Sequence, residues 1–431
     1  MAKTVLMILL TIILGLDFGA AYKILVVFPF PSSSHGILGD GFVRHLLGAG
    51  HEVTYITPFV KDKPHPNLRQ IDVKAEKKHF PNVLNITEIL NNKTPLQDIN
   101  FIFGMMLNLS RNILHNENVQ RLIDDPSQHF DLVIGEWMFS TAYCGFGVVF
   151  DCPCIVFFPA EFHQVALSII DEPPNPAYTR SVQLRRALPF SFKDRVMSLF
   201  LQAVTLFTTA FKFEPAESVV YESAFSRVMT KKGKSLPTFD EMKSNIALIL
   251  YNSHVSMGSN VRSPLNYVPI GGYHIDTEGK PLPEDLQKIM DESKNGVIYF
   301  SMGSNLQSKD IPDEIKKNLL NMFGGLKQTV LWKFEEQLPN RPKNVHILKW
   351  APQQSILAHS NCILFITHGG LLSSTEAVHF GVPIIGIPTF ADQFTNIETA
   401  VQRGFAKKVD LSYSMAEDLK VAIEDILKDP K

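Results

Sequence analysis

The sequence predicts an α/β protein with two doubly wound domains that face each other across a cleft. Short apolar β-type runs alternate with stretches of helical periodicity, which is the pattern of parallel sheets covered by helices on both faces. This alternation occurs in two series, separated by residues 252–283, which are rich in Gly, Pro, Ser and Asn. A length of 431 residues also exceeds one ordinary core.

The first series begins with a strand, a loop rich in Pro and Ser, and a helix near residues 37–48. Apolar residues recur every four positions in that helix and give it a buried face. A second helix passes through Tyr143. The predicted strands of this series are residues 23–28, 51–57, 131–134 and 155–158.

The second series has predicted helices at residues 311–323, 372–380 and 392–403. We place the domain boundary near residue 255, which gives an N-terminal domain of residues 22–254 and a C-terminal domain of residues 255–431. The predicted strands of this series are residues 297–300, 329–333, 345–348, 363–366 and 384–387.

Residues 1–21 have the pattern of a signal peptide. Lys3 supplies a positive charge, residues 5–16 are an apolar run, and small residues precede Tyr22. An uncleaved anchor is the alternative, but this run is shorter than the roughly 20 residues that span a bilayer. We therefore expect the chain to enter the lumen of the endoplasmic reticulum.

Three glycosylation sequons follow, at Asn85, Asn92 and Asn108, and predict a surface region. The four cysteines are too few and too unevenly placed for a disulfide framework, and we expect buried thiols. Cys152 and Cys154 lack the spacing of a metal site, and none is expected. The charge is nearly balanced, with 41 Lys and Arg against 43 Asp and Glu, which argues against nucleic-acid binding.

The sequence Thr367-His368-Gly369-Gly370 follows a predicted strand and opens a predicted helix. The glycines let a ligand approach the backbone, and a helix start offers N–H groups and partial positive charge to phosphate. His368 and Ser373 can add donors to the same oxygens. An ordinary Gly-Gly turn is the alternative.

Further side chains follow neighbouring strands. Trp350 offers a flat surface on which a base can stack, although a core tryptophan is the alternative. Glu376 can accept hydrogen bonds from two ribose hydroxyls, or be an ordinary helix-surface residue. Asp392 and Gln393 offer donors and acceptors to sugar hydroxyls, although Asp near a helix start is often only a cap. Together these residue types indicate a nucleotide-sugar site.

The motifs in this order resemble the UDP-glycosyltransferase family, and the resemblance covers nearly the whole chain. The signature begins at Trp350-x-x-Gln353, continues through His368-Gly369-Gly370 and Glu376, and ends at Asp392-Gln393. The run Gly-Gly-Leu-Leu-Ser-Ser-Thr-Glu-Ala is similar to insect members. Other landmarks that match are Gly271-Gly272, Ser301-Met-Gly-Ser304 and Val330-Leu-Trp332-Lys333.

The resemblance implies a fold of the glycosyltransferase B type, with two Rossmann-like domains. The C-terminal domain is expected to hold a UDP-sugar, and the N-terminal domain a small lipophilic alcohol or phenol. Trp350 would stack on uracil, Gln353 and Glu376 would hold the ribose, and Asp392 with Gln393 would hold the sugar. Residues expected at the phosphates, or elsewhere on UDP, are Ser304, Thr367, His368, Gly369, Gly370, Ser373 and Arg262.

The resemblance also implies a general base, His35, at the carboxyl end of the first strand. A solvated loop histidine is the alternative. A base of this kind needs an orienting carboxylate. The family has Asp at the matching position, whereas this chain has Glu136. Asp131 is an alternative partner, although it begins its strand and so lies at the far end.

We expect transfer with inversion and without a cofactor or metal, since no Asp-x-Asp motif is present. Glucose is expected rather than glucuronic acid, because the resemblance is strongest to insect members. The apolar residues 196–211 predict a core helix, a wall of the acceptor pocket or a membrane-surface contact. A homo-oligomer is a further hypothesis.

Family members usually continue beyond the position of Lys431 into a transmembrane span. Full-length relatives are therefore expected to be membrane-associated, and this shorter chain soluble or secreted. The substitution at Glu136 and the shorter chain leave a second hypothesis, an inactive lumenal nucleotide-sugar binder or regulatory partner.

Overall fold

The computed structural model describes residues 21–79, 85–91, 98–161, 164–170, 172–181, 183–184, 186–258, 264–277, 279–304, 306 and 308–428. Residues 1–20 of the predicted signal peptide, together with Asn92 and Arg262, lie outside these described residues.

Among the described residues, the first half of the chain forms a seven-stranded parallel sheet in the order β3-β2-β1-β4-β5-β6-β7. The strands alternate with helices that cover the sheet. The strands are β1 (Lys23–Val27), β2 (Glu52–Thr57), β3 (Leu68–Asp72), β4 (Leu132–Glu136), β5 (Cys154–Phe158), β6 (Ile246–Tyr251) and β7 (Tyr267–Pro269).

The second half forms a six-stranded parallel sheet, counted over the described part of the chain, in the order β10-β9-β8-β11-β12-β13. Two doubly wound parallel sheets confirm the predicted fold class. The strands are β8 (Val297–Ser301), β9 (Thr329–Lys333), β10 (Val345–Leu348), β11 (Cys362–Thr367), β12 (Ile384–Gly386) and β13 (Ala406–Lys408).

The helices of the N-terminal half are α1 (Ser33–Gly48), α2 (Ile86–Leu90), α3 (Ile99–Leu114), α4 (Glu117–Asp124), α5 (Gly145–Phe150), α6 (Gln164–Ile169), α7 (Phe192–Thr208), α8 (Glu214–Lys231) and α9 (Phe239–Ser244). A π-helical turn, Thr209–Phe213, joins α7 to α8. Those of the C-terminal half are α10 (Glu284–Glu292), α11 (Asp313–Gly324), α12 (Gln353–Ala358), α13 (Leu371–Phe380), α14 (Gln393–Gln402) and α15 (Met415–Lys428).

The central strands are buried on both faces, which explains their nearly continuous apolar sequence. In β1 every residue after Lys23 is buried, and all of β8 is buried. The strands that the sequence did not reveal include the outer strands β3 and β13, whose residues are partly exposed and lack a continuous apolar run. Periodicity therefore found most central strands and missed several edge strands. It also missed β6, an inner strand whose sequence is apolar.

The first sheet extends past the predicted boundary near residue 255. Strand β7 pairs in parallel with β6, so the chain as far as Pro269 belongs to the N-terminal sheet. The composition of this segment indicated a linker, but three residues suffice for an edge strand. Hydrogen bonds then join the two halves, including one from Arg180 Nη2 to Thr399 Oγ1 at 3.1 Å.

The expectation of four buried thiols was wrong, because Cys144 and Cys154 form a disulfide. Strand β5 brings Cys154 beside the helical turn that holds Cys144. Cys362 is a buried free thiol and Cys152 a partly buried one.

Two sequon asparagines are described. Asn85 caps α2, with Oδ1 accepting from the Thr87 and Glu88 N–H groups. Asn108 is exposed but lies within α3, and the Ser110 of its sequon is buried. Neither lies in an open loop, and glycosylation stays a prediction.

Helix α7 is not the core helix that its apolar residues predicted. Its buried side chains are Ser198 and Gln202, whereas its large apolar side chains are exposed. None of these apolar side chains lines the cleft between the sheets.

Candidate functional site

A cleft of about 1090 Å³ lies between the two domains. Its lining includes loops that follow β1, β4, β5, β8, β10, β11 and β12, so it opens at the carboxyl ends of both sheets, where ligands of doubly wound sheets bind. The predicted residues that line it are His35, Ser304, Trp350, Gln353, His368, Gly370, Ser373, Glu376, Asp392 and Gln393.

A histidine and a carboxylate meet on the N-terminal side of the cleft. His35 lies in the first turn of α1, which follows β1, and Glu136 ends the neighbouring strand β4. The His35 Nδ1 and Glu136 Oε1 are 2.5 Å apart. Burial raises the pKa of the Glu136 carboxyl group, while the charge of His35 lowers it. The extra methylene of Glu therefore does not prevent the pairing.

The alternative partner, Asp131, lies at the other end of the sheet. Its Oδ2 accepts a hydrogen bond of 2.7 Å from the N–H of Lys23, the first residue of β1. This hydrogen bond is the main cause that lowers the pKa of the Asp131 carboxyl group. Burial opposes it, and the smaller effects of His129 lower the pKa further. Asp131 therefore belongs to the amino end of β1 and does not contact His35.

Trp350 and Trp332 occupy opposite environments. Trp332 is buried in β9 and packs against Phe300 and Phe334. Trp350 follows β10, lines the cleft and is 64% exposed. The exposed indole face rejects the core alternative for Trp350 and leaves a surface on which a flat base can stack.

Four polar side chains interlock beside Trp350. The Gln353 Nε2 donates to Glu376 Oε2 at 2.6 Å and to Ser373 Oγ at 3.1 Å. The Gln354 Nε2 donates to Glu376 Oε1 at 3.0 Å. Glu376 is buried on α13 and faces the start of α12, so it is not the helix-surface residue of the alternative interpretation. This arrangement fixes a carboxylate that can accept hydrogen bonds from two neighbouring hydroxyl groups of a ligand.

His274 is a member of this cluster that the sequence interpretation missed. Its buried ring lines the cleft, with Nε2 3.3 Å from Glu376 Oε1. That contact lacks hydrogen-bond alignment, and neither ring nitrogen has a hydrogen-bond partner among the described residues. The sequence signal that could have identified His274 is its position, two residues after the Gly271-Gly272 landmark.

The loop between β11 and α13 presents backbone to the cleft. Gly369 has a φ of 81°, and a Cβ there would lie 2.3 Å from Ile397 Cγ1, so glycine is required. Gly370 caps α13 without a side-chain hydrogen bond, which leaves the helix start available to an anion. Thr367 is buried, and its Oγ1 lies 3.3 Å from His368 Nδ1.

Burial and the nearby charge of Lys333 lower the pKa of His368 to about 4. The imidazole is therefore neutral at pH 7 and can donate one hydrogen bond without carrying a charge. Lys333 belongs to the Val330-Leu-Trp332-Lys333 landmark, to which the sequence assigns no role. Its Nζ donates to the Gly303 carbonyl oxygen at 2.8 Å and lies 2.9 Å from Glu335 Oε1, which places a cation beside Ser304 and His368.

Asp392 and Gln393 begin α14, and internal hydrogen bonds fix both side chains. The Asp392 Oδ2 accepts from Asn396 Nδ2 at 2.9 Å. The Gln393 Oε1 accepts from the Thr389 N–H and hydroxyl and from the Phe390 N–H. Burial raises the pKa of the Asp392 carboxyl group, and the charge of His35 lowers it. Asp392 of the C-terminal domain is therefore close enough to interact electrostatically with His35 of the N-terminal domain.

We call these cleft residues of the C-terminal half the donor wall and define it as Ser304, Trp350, Gln353, His368, Gly370, Ser373, Glu376, Asp392 and Gln393.

The N-terminal side of the cleft has charged lining residues, among them Asp40, Arg44 and Lys61, and an apolar patch. We call this patch the acceptor wall and define it as Trp137, Met138, Phe139, Phe158 and Val165. Phe139 has a φ of 60°, which is strained for a residue with a bulky side chain.

The strained loop of the acceptor wall is held from α8. The buried Glu217 Oε1 accepts from Ser140 Oγ at 3.0 Å and from Thr141 Oγ1 at 2.9 Å. It also accepts from the Thr141 N–H. The sequence interpretation missed this wall, because apolar residues that follow a strand have the same local pattern in a core.

A family model described as UDP-glucoronosyl and UDP-glucosyl transferase matches residues 24–431. The chain belongs to this UDP-glycosyltransferase family. It is therefore a glycosyltransferase that takes its sugar from a UDP-sugar, and the cleft is the place where the donor wall meets the His35–Glu136 pair.

Related proteins agree with this assignment. A UDP-glucosyltransferase of Dactylopius coccus is 32% identical over 432 residues, which cover 99% of this chain and 81% of the relative. An ecdysteroid UDP-glucosyltransferase of Spodoptera littoralis nuclear polyhedrosis virus is 27% identical over 96% of this chain and 82% of its own length.

Solved structures share the fold of this UDP-glycosyltransferase. The glycosyltransferase of kitacinnamycin superposes with a TM-score of 0.59 at 15% identity, over 96% of this chain and 92% of that one. An Arabidopsis thaliana glycosyltransferase solved with UDP gives 0.55 at 16% identity, over 93% and 90%. Both confirm the glycosyltransferase B architecture.

Proposed function

We propose that this enzyme transfers glucose from UDP-glucose to a hydroxyl group of a small lipophilic acceptor, with inversion and with His35 as the general base. The observation that carries the proposal is the 2.5 Å contact between His35 Nδ1 and Glu136 Oε1 at the mouth of a cleft shared with the donor wall. Glucose is supported by the names of the insect and viral relatives.

The proposed reaction is a single displacement. With its Nδ1 proton directed to Glu136, His35 has a basic Nε2 that accepts the proton of the acceptor hydroxyl. The acceptor oxygen forms a bond to the anomeric carbon as the bond from that carbon to the UDP oxygen breaks. UDP leaves with the bonding electron pair, and Glu136 stabilises the imidazolium that has formed.

The departing diphosphate gains negative charge at the donor wall. The start of α13 after Gly370 provides N–H groups for this charge, and His368 provides a neutral donor. In the proposed complex, Trp350 stacks on uracil, Glu376 with Gln353 binds the ribose, and Asp392 with Gln393 binds glucose. The Gln393 Oε1 is occupied by the Thr389 turn, so its amide N–H₂ is the group assigned to the sugar.

The acceptor wall supports a lipophilic alcohol or phenol. The five side chains of this wall offer little hydrogen bonding, so an apolar body with a hydroxyl group directed to His35 fits it. A panel of phenols and steroids tests this point against polar sugars, and turnover restricted to the sugars would reject it.

The disulfide between Cys144 and Cys154 supports the lumen of the endoplasmic reticulum as the site of action, because disulfides persist in oxidising compartments. The proposed step uses protein groups alone to balance charge, so we expect the rate to be unchanged by EDTA. A loss of activity that Mg²⁺ or Mn²⁺ restores would overturn this part.

The central experiment incubates the protein with UDP-glucose and a phenol and compares wild type with His35→Ala. His379→Ala is the matched control, since this histidine is exposed on α13 and does not line the cleft. We expect a β-glucoside from wild type and control, and at most a trace from His35→Ala. Equal product from all three proteins would refute His35 as base, and an α-glucoside would refute inversion.

The inactive-binder hypothesis predicts UDP binding without turnover. One argument for it was that Glu136 replaces the family's Asp. The observed His35–Glu136 contact removes that argument. Tight UDP-glucose binding by calorimetry, with no product across the acceptor panel, would favour the inactive binder over the transferase.

A further inference from the structure

Helix α7 has an inverted distribution of side chains. The polar residues Ser198 and Gln202 are buried and bond to each other, and Gln164 Nε2 of α6 donates to Thr205 Oγ1 at 2.9 Å. The apolar residues point outward instead. We call this exposed set the α7 face and define it as Phe192, Val196, Met197, Leu199, Phe200, Val204, Leu206 and Phe207, with Phe211 of the following turn.

The α7 face is large and continuous. At 100° per residue, its positions occupy one broad arc of the helix surface, opposite the buried polar residues. Phe200 is 62% exposed, Phe207 65% and Phe211 72%. Scattered apolar residues are normal on a protein surface, but a contiguous stripe of this kind marks a contact with an apolar partner.

Among the described residues, the charges beside the α7 face are mostly basic. Lys193 and Arg195 are exposed in its first turn and Lys212 follows its last turn. Arg186 precedes the helix and lies 3.9 Å from Glu398. Asp194 is the acidic residue among them, and its carboxylate is engaged in the capping box of α7. An apolar stripe with basic flanks is complementary to the surface of a bilayer that contains anionic lipids.

The helical segment Phe192–Lys231 is also long and apolar enough to cross a membrane by length and composition alone. Its second half has a different environment, however. In α8, Val220, Tyr221 and Phe225 are fully buried in the N-terminal core, and Glu217 holds the loop after β4. The segment cannot span a bilayer without dismantling that core, which favours a helix that lies on the surface.

We propose that the α7 face docks this enzyme onto an anionic bilayer surface, with α7 parallel to the membrane and its aromatic side chains inserted among the lipids. The helix packs behind α6, which contributes Val165 to the acceptor wall. The docked surface is therefore next to the cleft. The docking itself does not depend on the proposed transfer reaction.

A direct test places a tryptophan in the α7 face. Phe207→Trp is compared with Val421→Trp, an exposed position on α15 of the C-terminal domain, in vesicles of phosphatidylcholine and phosphatidylserine that carry brominated acyl chains. With the wild-type emission subtracted, we expect the emission added at position 207 to be quenched and that at position 421 to persist. This readout is local, so residues 1–20 do not confound it.

A second test uses flotation with the same lipids without bromine. In Phe200→Glu/Phe207→Glu the bound fraction is expected to fall at least roughly tenfold, since two charges replace two inserted rings, whereas Val421→Glu binds as wild type. Phe200, Phe207 and Val421 are all exposed, so the unfolding temperature measured by circular dichroism should be unchanged in each variant.

Three outcomes would overturn the proposal. The first is an unquenched tryptophan at position 207. The second is equal binding by the double variant and wild type. The third is a lipid-free dimer that the double variant converts to a monomer while vesicles bind neither protein, which would assign the α7 face to a second copy of the chain.

Discussion

In the donor wall most polar side chains are held by hydrogen bonds to one another or to neighbouring protein groups, whereas the acceptor wall is an apolar surface beside the His35–Glu136 pair. The donor wall comes largely from one stretch of sequence, between Trp350 and Gln393, and the acceptor wall from another, between Trp137 and Val165. A fixed polar network suits one invariant nucleotide. An apolar surface suits acceptors that share only size and a hydroxyl group.

The difference between the two walls predicts that base variants change turnover and donor-wall variants change UDP affinity. The largest effect is expected for Glu136→Gln. An amide stabilises imidazolium poorly and does not fix the ring tautomer, so kcat should fall on the order of 10²- to 10⁴-fold. The Kd for UDP, measured by calorimetry, should not change.

The matched control for that variant is Asp131→Asn, which changes a carboxylate at the opposite end of the same strand pair. It should keep wild-type kcat. A comparable loss in both variants would mean that the kinetic effect comes from the sheet and not from the His35 contact.

Glu376→Ala should act on the donor instead. It removes the acceptor for Gln353 and Gln354, so the Kd for UDP should rise roughly 10- to 100-fold, as expected for hydrogen bonds to a charged group. Turnover at saturating UDP-glucose should change much less. Glu417→Ala, an exposed carboxylate on α15, is the control, and unchanged UDP affinity in Glu376→Ala would remove the proposed ribose contact.

The two tryptophans give a sharper contrast within one domain. Trp350→Ala should weaken UDP binding roughly tenfold through lost stacking, with no change in thermal stability because the ring is largely exposed. Trp332→Ala should lower the free energy of unfolding by roughly 3–5 kcal/mol, since its buried ring leaves a cavity. Destabilisation by Trp350→Ala would contradict its place on the donor wall.

The smallest effect concerns pH. In the folded state the pKa of His368 is about 4, against an ordinary value of 6.5, so the unfolded chain binds more protons between these values. The contribution to stability is present above pH 6.5 and is lost as the pH falls toward 4. The unfolding temperature of wild type should therefore fall more than that of His368→Gln, by a few degrees. Parallel pH profiles would show that His368 is not held neutral.

Sequence alone predicted the donor wall well because its motif is nearly contiguous. Ser373 and Glu376 lie one helical turn apart, and both face α12 in the structure. It left open whether Trp350 was core, because a tryptophan after a strand has the same local pattern in either environment. It missed His274, whose buried ring reaches Glu376 from a segment about one hundred residues earlier.

The same limit explains two corrections. The disulfide depends on β5 returning Cys154 to the turn that holds Cys144, and nothing in their ten-residue separation indicates that return. An apolar helix usually buries its apolar side chains. In α7 the neighbouring segments bury Ser198 and Gln202 and leave the aromatic rings exposed.

By itself, the sequence determined the α/β class, the positions of most central strands along the chain and the donor motif, because periodicity and local spacing encode those features directly. Only the tertiary structure decided that Glu136 reaches His35, that Trp350 is exposed and that the α7 face has no covering layer among the described residues. Each of these depends on which distant segments become neighbours, and burial and pKa are properties of those neighbours.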